Sequence, residues 1–190
     1  MRVMDPQHRL LLELTWEALQ SAAIPVADLQ GSQTGVTMGM ASGEFGDMLL
    51  QAEDMAQLSR YHASGNNASA AVGRIAYLLG LQGPSAAVNT ACSSSLTSLD
   101  MSCKQLLTKE TDLGITGAVN MIFSERQMQL DRANGMLSAT EHCHTFSSKA
   151  DGMVRAEGAA VYVIKRLSEA VLDGDRILGV IESTASNQNG

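Results

Sequence analysis

Ala87-Val88-Asn89-Thr90-Ala91-Cys92-Ser93-Ser94-Ser95-Leu96 is the stretch on which the reading of the fold turns. A short apolar run, Ala86 to Val88, precedes it, and an amphipathic run, Leu96 to Leu107, follows. Leu96, Leu99, Cys103 and Leu106 recur at spacings of three and four, the period of one helix face. Cys92 is therefore expected at a tight strand-to-helix junction, ringed by small residues. The unpaired amides and dipole of a helix N-terminus favour the thiolate. The same amides can stabilise the oxyanion of an attacked thioester. Small neighbours leave room for an acyl group. The competing reading is a buried structural cysteine, since free Cys is among the most buried residue types. Junction geometry alone leaves both open.

Working outward, Asp5-Pro6 is expected to open a helix, with Asp as cap and Pro at the first helical position. Leu11, Leu14, Ala18 and Ala22, with Leu12, Leu19 and Ala23, form its apolar face, and Pro25 ends it. Trp16 is expected at the edge of that face. Gly35 to Met40 reads as a buried strand, and Ala41 to Asp54 as a loop with a short helix. Gly65 to Ser69 leads into a helix, Ala70 to Leu79, where Ser69, Gly73 and Tyr77 share a face that permits close packing. Asp112 to Asn120 alternates as a central strand, and Ser124 to Thr145 is a polar excursion turning at Gly135. Ala159 to Lys165 is a strand, Ser168 to Asp173 a short helix stopped by Gly174, Ile177 to Ser183 a last strand, and Asn187 to Gly190 a turn. Strands alternating with helices argue for a layered α/β domain.

The 190 residues carry a net charge of −7 and are 45% hydrophobic. That disfavours both a nucleic-acid surface and disorder. No apolar run approaches the length of a membrane span, and Met1 to Pro6 has no apolar signal core. Three unevenly spaced cysteines beside 11 methionines suggest a reducing, cytoplasmic setting rather than a disulfide framework.

Thr90-Ala91-Cys92-Ser93-Ser94-Ser95-Leu96 resembles the active-site motif of the beta-ketoacyl synthase (ketosynthase) domain of polyketide synthases and animal-type fatty acid synthases. Asp5-Pro6-Gln7-His8-Arg9-Leu10-Leu11-Leu12-Glu13, Gly73-Arg74-Ile75-Ala76-Tyr77, Ala150-Asp151-Gly152-Met153-Val154-Arg155-Ala156-Glu157-Gly158 and Asn187-Gln188-Asn189-Gly190 resemble the same family in the same order. Departures are mild: Ser64-Gly65 for a usual Thr-Gly, Ala156 for a usual Gly, Asn189 for a usual Asp. The resemblance implies a thiolase-like fold, of which the chain would supply the first half and the first strand of the second. Residues 1–174 would be the ketosynthase N-terminal half lacking its first strand, and 175–190 the start of the C-terminal half.

The resemblance also implies a chemistry. Cys92 would take an acyl group from the phosphopantetheine arm of an acyl carrier protein, with its own backbone N–H as one oxyanion donor. A malonyl-type extender would decarboxylate and its enolate attack the acyl-cysteine. No cofactor or metal would be bound directly. A homodimer would form, with the Gly65 to Tyr77 stretch near its contact. The family's two histidines belong to motifs of the type Glu-Ala-His-Gly-Thr-Gly-Thr and Gly-His-x-Glu-Ala-Ala-Gly. None of His8, His62, His142 or His144 stands in either, so the chain alone is expected not to complete condensation. An alternative is a non-catalytic half-domain that complements a separate chain. A hydrolase with a Gly-x-Ser-x-Gly elbow fits poorly, because Thr90 and Ser94 occupy the glycine places.

Three further groups invite reading. His142-Cys143-His144 lacks further ligands at zinc spacing and is expected to be a solvated loop. Asp151 to Gly158 fails calcium-loop spacing; it reads as a turn braced by Arg155 against Asp151 or Glu157, beneath the cysteine pocket. Asp100 and Lys104, at i and i+4, read as a surface pair, and Phe146 as core.

Overall fold

The computed structural model describes residues 3–41, 43–52 and 59–188. Asp5 caps the first helix, α1 (Pro6–Ser21), accepting from the Gln7 amide at 2.8 Å, with Pro6 at its first position. A short α2 (Val26–Leu29) leads to strand β1 (Thr34–Met40), and α3 (Glu44–Ala52), α4 (His62–Asn66) and α5 (Ala68–Leu79) follow. Then come β2 (Ser85–Val88), α6 (Ser94–Leu107), β3 (Leu113–Asn120), α7 (Glu125–Ala133), β4 (Gly158–Lys165) and α8 (Leu167–Asp173).

The four strands form one sheet in the order β2-β1-β3-β4. β1 runs parallel to both β2 and β3, and β4 closes antiparallel on β3. All seven residues of β1 are buried, as a central parallel strand covered on both faces must be. Val36, Met38 and Met40 meet Leu11 and Leu19 of α1 and Val72, Ile75 and Leu79 of α5 in the apolar core. The opposite face carries Thr37, Gly39, Gly114 and Thr116, and α6 lies on it.

That second interface differs from the leucine stripe expected of α6. Its buried residues are Ser94, Ser98, Asp100, Ser102 and Leu106, while Leu96 is 70% exposed. Serines at i, i+4 and i+8 let the helix backbone approach the sheet more closely than leucines would. A Cβ on Gly39 would sit 2.8 Å from the backbone of Ser94, and one on Gly114 would collide with the Ser102 hydroxyl. Buried hydroxyls then find partners across the layer. The Thr37 hydroxyl donates to the Ser98 carbonyl at 3.1 Å, and Ser98 Oγ lies 3.1 Å from the Gly117 carbonyl.

Other expectations need correction. The polar excursion contains α7; its Glu125 and Arg132 suit the two ends of the helix dipole, but its face has too few apolar residues to show a period. Ile177 to Ser183 forms no strand among the described residues. A strand needs a ladder partner, and this segment has none, leaving Ile177, Leu178, Val180 and Ile181 exposed. Phe146 is fully exposed and at φ +59, so it is not core. The α5 face that permits close packing meets no neighbour among the described residues: Tyr77 is 84% exposed and none of them lies within 4 Å of a Cβ built on Gly73. Ser42, Glu53 and Asp54 of the expected loop and helix, and Asn189 and Gly190 of the expected turn, lie outside the described residues.

Candidate active site

Cys92 sits between the end of β2 at Val88 and the start of α6 at Ser94, free and exposed. The parallel strands β1, β2 and β3 all end on this side, the edge of an α/β sheet where ligands characteristically bind. The elbow is sharp. Ala91, just before the cysteine, is held at φ +55, a left-handed conformation that costs a non-glycine residue roughly 1–3 kcal/mol.

Short polar side chains hold that turn. The Asn89 side-chain oxygen accepts from the Ala91 amide at 3.1 Å. The Ser94 hydroxyl donates to the Ala91 carbonyl at 2.6 Å and accepts from the Thr90 amide at 2.9 Å. Ser93 Oγ donates to the Thr90 carbonyl at 2.8 Å instead of capping α6, and the Thr90 and Thr97 hydroxyls pair at 3.0 Å. None of these roles is visible in apolar periodicity. The run of hydroxyl residues around Cys92 was their only signal.

A cleft of about 400 Å³ opens beside the elbow, lined in part by Met40, Leu50, His62, Asn66, Asn67 and Asn89. On two of these lining residues, His62 Nδ1 and Asn66 Oδ1 are buried without a hydrogen-bond partner among the described residues. Cys92 is not among its lining residues. A second, apolar hollow of about 220 Å³ lies between α1 and α5, against the half-exposed Trp16.

Arg155 does not brace its own turn as expected. It reaches Glu44 at 3.0 Å and Asp131 at 3.4 Å, joining α3, α7 and the 150s turn. Glu44 also accepts from the amides of Phe123 and Ser124 at 3.2 Å each. Burial opposes ionisation of Glu44, but Arg155 and these amides outweigh it and hold the carboxyl below its ordinary range. Asp151 accepts from Ser138 and the Ala139 and Thr140 amides, and Glu157 from the Ile122 amide. Asp100 meets Lys104 at 2.7 Å as expected, yet it is buried and also accepts from Thr184 at 2.6 Å.

The four histidines are scattered. His8 is fully buried in α1, where desolvation lowers its pKa against the pull of Asp5, with Arg74 adding to the lowering. His142 and His144 stack at 5.9 Å in an exposed loop, each bonded to Thr140. Among the described residues no cluster of three or more His, Cys, Asp or Glu is arranged to hold a metal.

An exposed thiol on a strained strand-to-helix elbow, at the carboxyl ends of three parallel strands, is an arrangement chemically able to take part in covalent acyl transfer. Comparison with known proteins is more specific. The family model described as beta-ketoacyl synthase, N-terminal domain, matches residues 1–170. The chain belongs to that family. It is 48% identical to a mycocerosic acid synthase-like polyketide synthase of Mycolicibacterium smegmatis, over 98% of this chain and 9% of that protein. It is 46% identical to a phenolphthiocerol/phthiocerol polyketide synthase of Mycobacterium tuberculosis, over 98% of this chain and 10% of that one. The ketosynthase from module 6 of the bacillaene synthase of Bacillus subtilis superposes with a TM-score of 0.82 at 35% identity, over 92% of this chain and 29% of that chain. The oxazolomycin ketosynthase domain of Streptomyces albus gives 0.78 at 32%, over 91% and 30%. The fold is therefore the thiolase-like α/β fold of ketosynthases, and the chain spans about a tenth of the length of these curated relatives.

Proposed function

We propose that Cys92 is the acyl-accepting nucleophile of a ketosynthase that extends a polyketide by decarboxylative Claisen condensation. The observation that carries this is the exposed thiol on the elbow before α6. The thiolate attacks the acyl thioester on a carrier protein's phosphopantetheine, the carrier thiol leaves, and the acyl group rests on Cys92. The Cys92 N–H supports the oxyanion. A malonyl-type unit on a carrier then loses carbon dioxide, and its enolate attacks the acyl-cysteine and expels the thiolate. The polyketide product class is supported by the names of the relatives. The activity is proposed for a whole ketosynthase domain containing these residues, since the paired-histidine motifs of the family are not within them.

The proposed partners are an acyl carrier protein and a second copy of the domain. The open face of α5 at Gly73 and Tyr77, beside the edge strand β2, supports the latter. The proposed compartment is the cytoplasm, where the three free thiols stay reduced. No helix among the described residues is long and apolar enough to cross a membrane.

The test is acyl loading of a ketosynthase domain carrying this sequence from an acyl-carrier thioester, followed by intact-protein mass spectrometry. The acyl adduct is expected on Cys92 and is lost in Cys92→Ala. An adduct that persists in Cys92→Ala would overturn the proposal.

A further inference from the structure

We propose that Ser94 is a positioning residue for Cys92, holding shut the elbow from which the thiol projects. This rests on the reading of Cys92 as nucleophile and adds a residue to it. Ser94 is 5% exposed, so its hydroxyl is committed to the interior. That hydroxyl uses both its donor and an acceptor site, giving its proton to the Ala91 carbonyl and taking one from the Thr90 amide. It thereby ties residues on the strand side of Cys92 to the first residue of α6. Ala91 lies inside that loop at φ +55, a conformation that persists only where its surroundings over-determine it.

Ser94 is itself fixed from below. Its backbone rests on Gly39 of β1, where a Cβ would come within 2.8 Å of its carbonyl carbon and oxygen. The path from sheet to thiol is thus Gly39, the Ser94 backbone, the Ser94 hydroxyl and the strained turn. The stabilising field of a helix N-terminus fades within its first turn. A thiol that swings away from that terminus therefore loses reactivity by roughly two- to fivefold.

The chain contains its own controls. Cys143 is an exposed thiol remote in sequence from the elbow, its sulfur accepting from the Val154 amide at 3.1 Å, and Cys103 is half-buried and reports loss of the fold. The experiment is site-resolved iodoacetamide labelling of the full chain at fixed pH, reading the ratio of rates at Cys92 and Cys143. In the unaltered chain the ratio is expected to be about two to five, falling toward one in Ser94→Ala with Cys103 still protected. Ser94→Thr and Ser94→Val, matched in bulk, repeat the comparison with the hydroxyl present and absent: the ratio holds in Thr and falls in Val. A high ratio that survives both Ser94→Ala and Ser94→Val overturns the role of Ser94 and leaves the nucleophile reading standing. A ratio near one in the unaltered chain overturns both. If Ser94→Ala exposes Cys103, the Thr and Val pair decides, and equal ratios there overturn the proposal.

Discussion

Glu44 shows how much structure a single carboxylate can gather. It contacts Arg155 and the amides of Phe123 and Ser124, so three segments beyond the strand ends meet on one side chain. Burial disfavours its charge, but those partners more than compensate, and the carboxyl titrates below its ordinary value of 4.5. A carboxyl with a lower pKa in the folded than in the unfolded state adds stability that is complete above the unfolded pKa. That stability is lost as pH falls through the folded one. Glu44→Gln is therefore expected to cost about 2–3 kcal/mol at neutral pH. The deficit should shrink as pH drops below 4.5, where the parent carboxyl also becomes neutral. Urea unfolding at a series of pH values checks this, and a deficit that stays constant into acid would contradict the assignment. The sequence offered no route to this contact. Glu44 and Arg155 are 111 residues apart, and only charges nearer to Arg155 invited pairing.

Among the elements, the helix after Cys92 separates what periodicity can reveal from what it cannot. Its existence and its place after a short strand were legible, because an apolar run gave way to a helical one at Cys92. Its orientation was not. Apolar spacing favoured Leu96 and Leu99, whereas the helix buries Ser94, Ser98 and Ser102 against a strip of sheet glycines. Small polar residues bury well where backbones come close and hydroxyls find carbonyls, a pairing that only the tertiary structure supplies. The same logic hid α7, and it made Ile177 to Ser183 look like a strand when nothing lies alongside to pair with it. Contrasting glycines make the point measurable. A Cβ on Gly117 of β3 would collide with the Ala160 carbonyl of β4, whereas one on Gly73 of α5 would meet nothing within 4 Å. Gly117→Ala is expected to destabilise the chain by about 3 kcal/mol, a fall of roughly 6–12 °C in Tm. Gly73→Ala, in a helix and unobstructed, is expected to stabilise it by about 0.5–1 kcal/mol. Calorimetry of the two variants side by side tests the contrast, and equal effects would mean that β3 and β4 do not approach so closely at Gly117.

For the whole molecule, the proposal of a second copy needs a surface to carry it. β2 is an edge strand of the sheet, and α5 packs beside it while turning Ser69, Gly73 and Tyr77 outward. A small residue beside a large exposed aromatic is a shape that a flat, close-fitting partner can cover, and an uncovered edge strand is a standing invitation to pair. If this face joins two ketosynthase domains, it should bear on association and hardly at all on the fold of one copy. Tyr77→Glu removes a ring that is 84% exposed, so it is expected to change the stability of the isolated chain by no more than about 0.5 kcal/mol. In a ketosynthase domain carrying this sequence, the same change places a charge at the proposed contact without a partner. Sedimentation velocity should then show the dimer giving way to monomer, with carrier-dependent acyl loading of Cys92 retained because the elbow is untouched. A dimer that persists in Tyr77→Glu would move the contact to another face. Loss of acyl loading with the dimer intact would instead tie Tyr77 to the site, because α5 begins at Ala68, which with Asn67 lines the cleft beside Asn89.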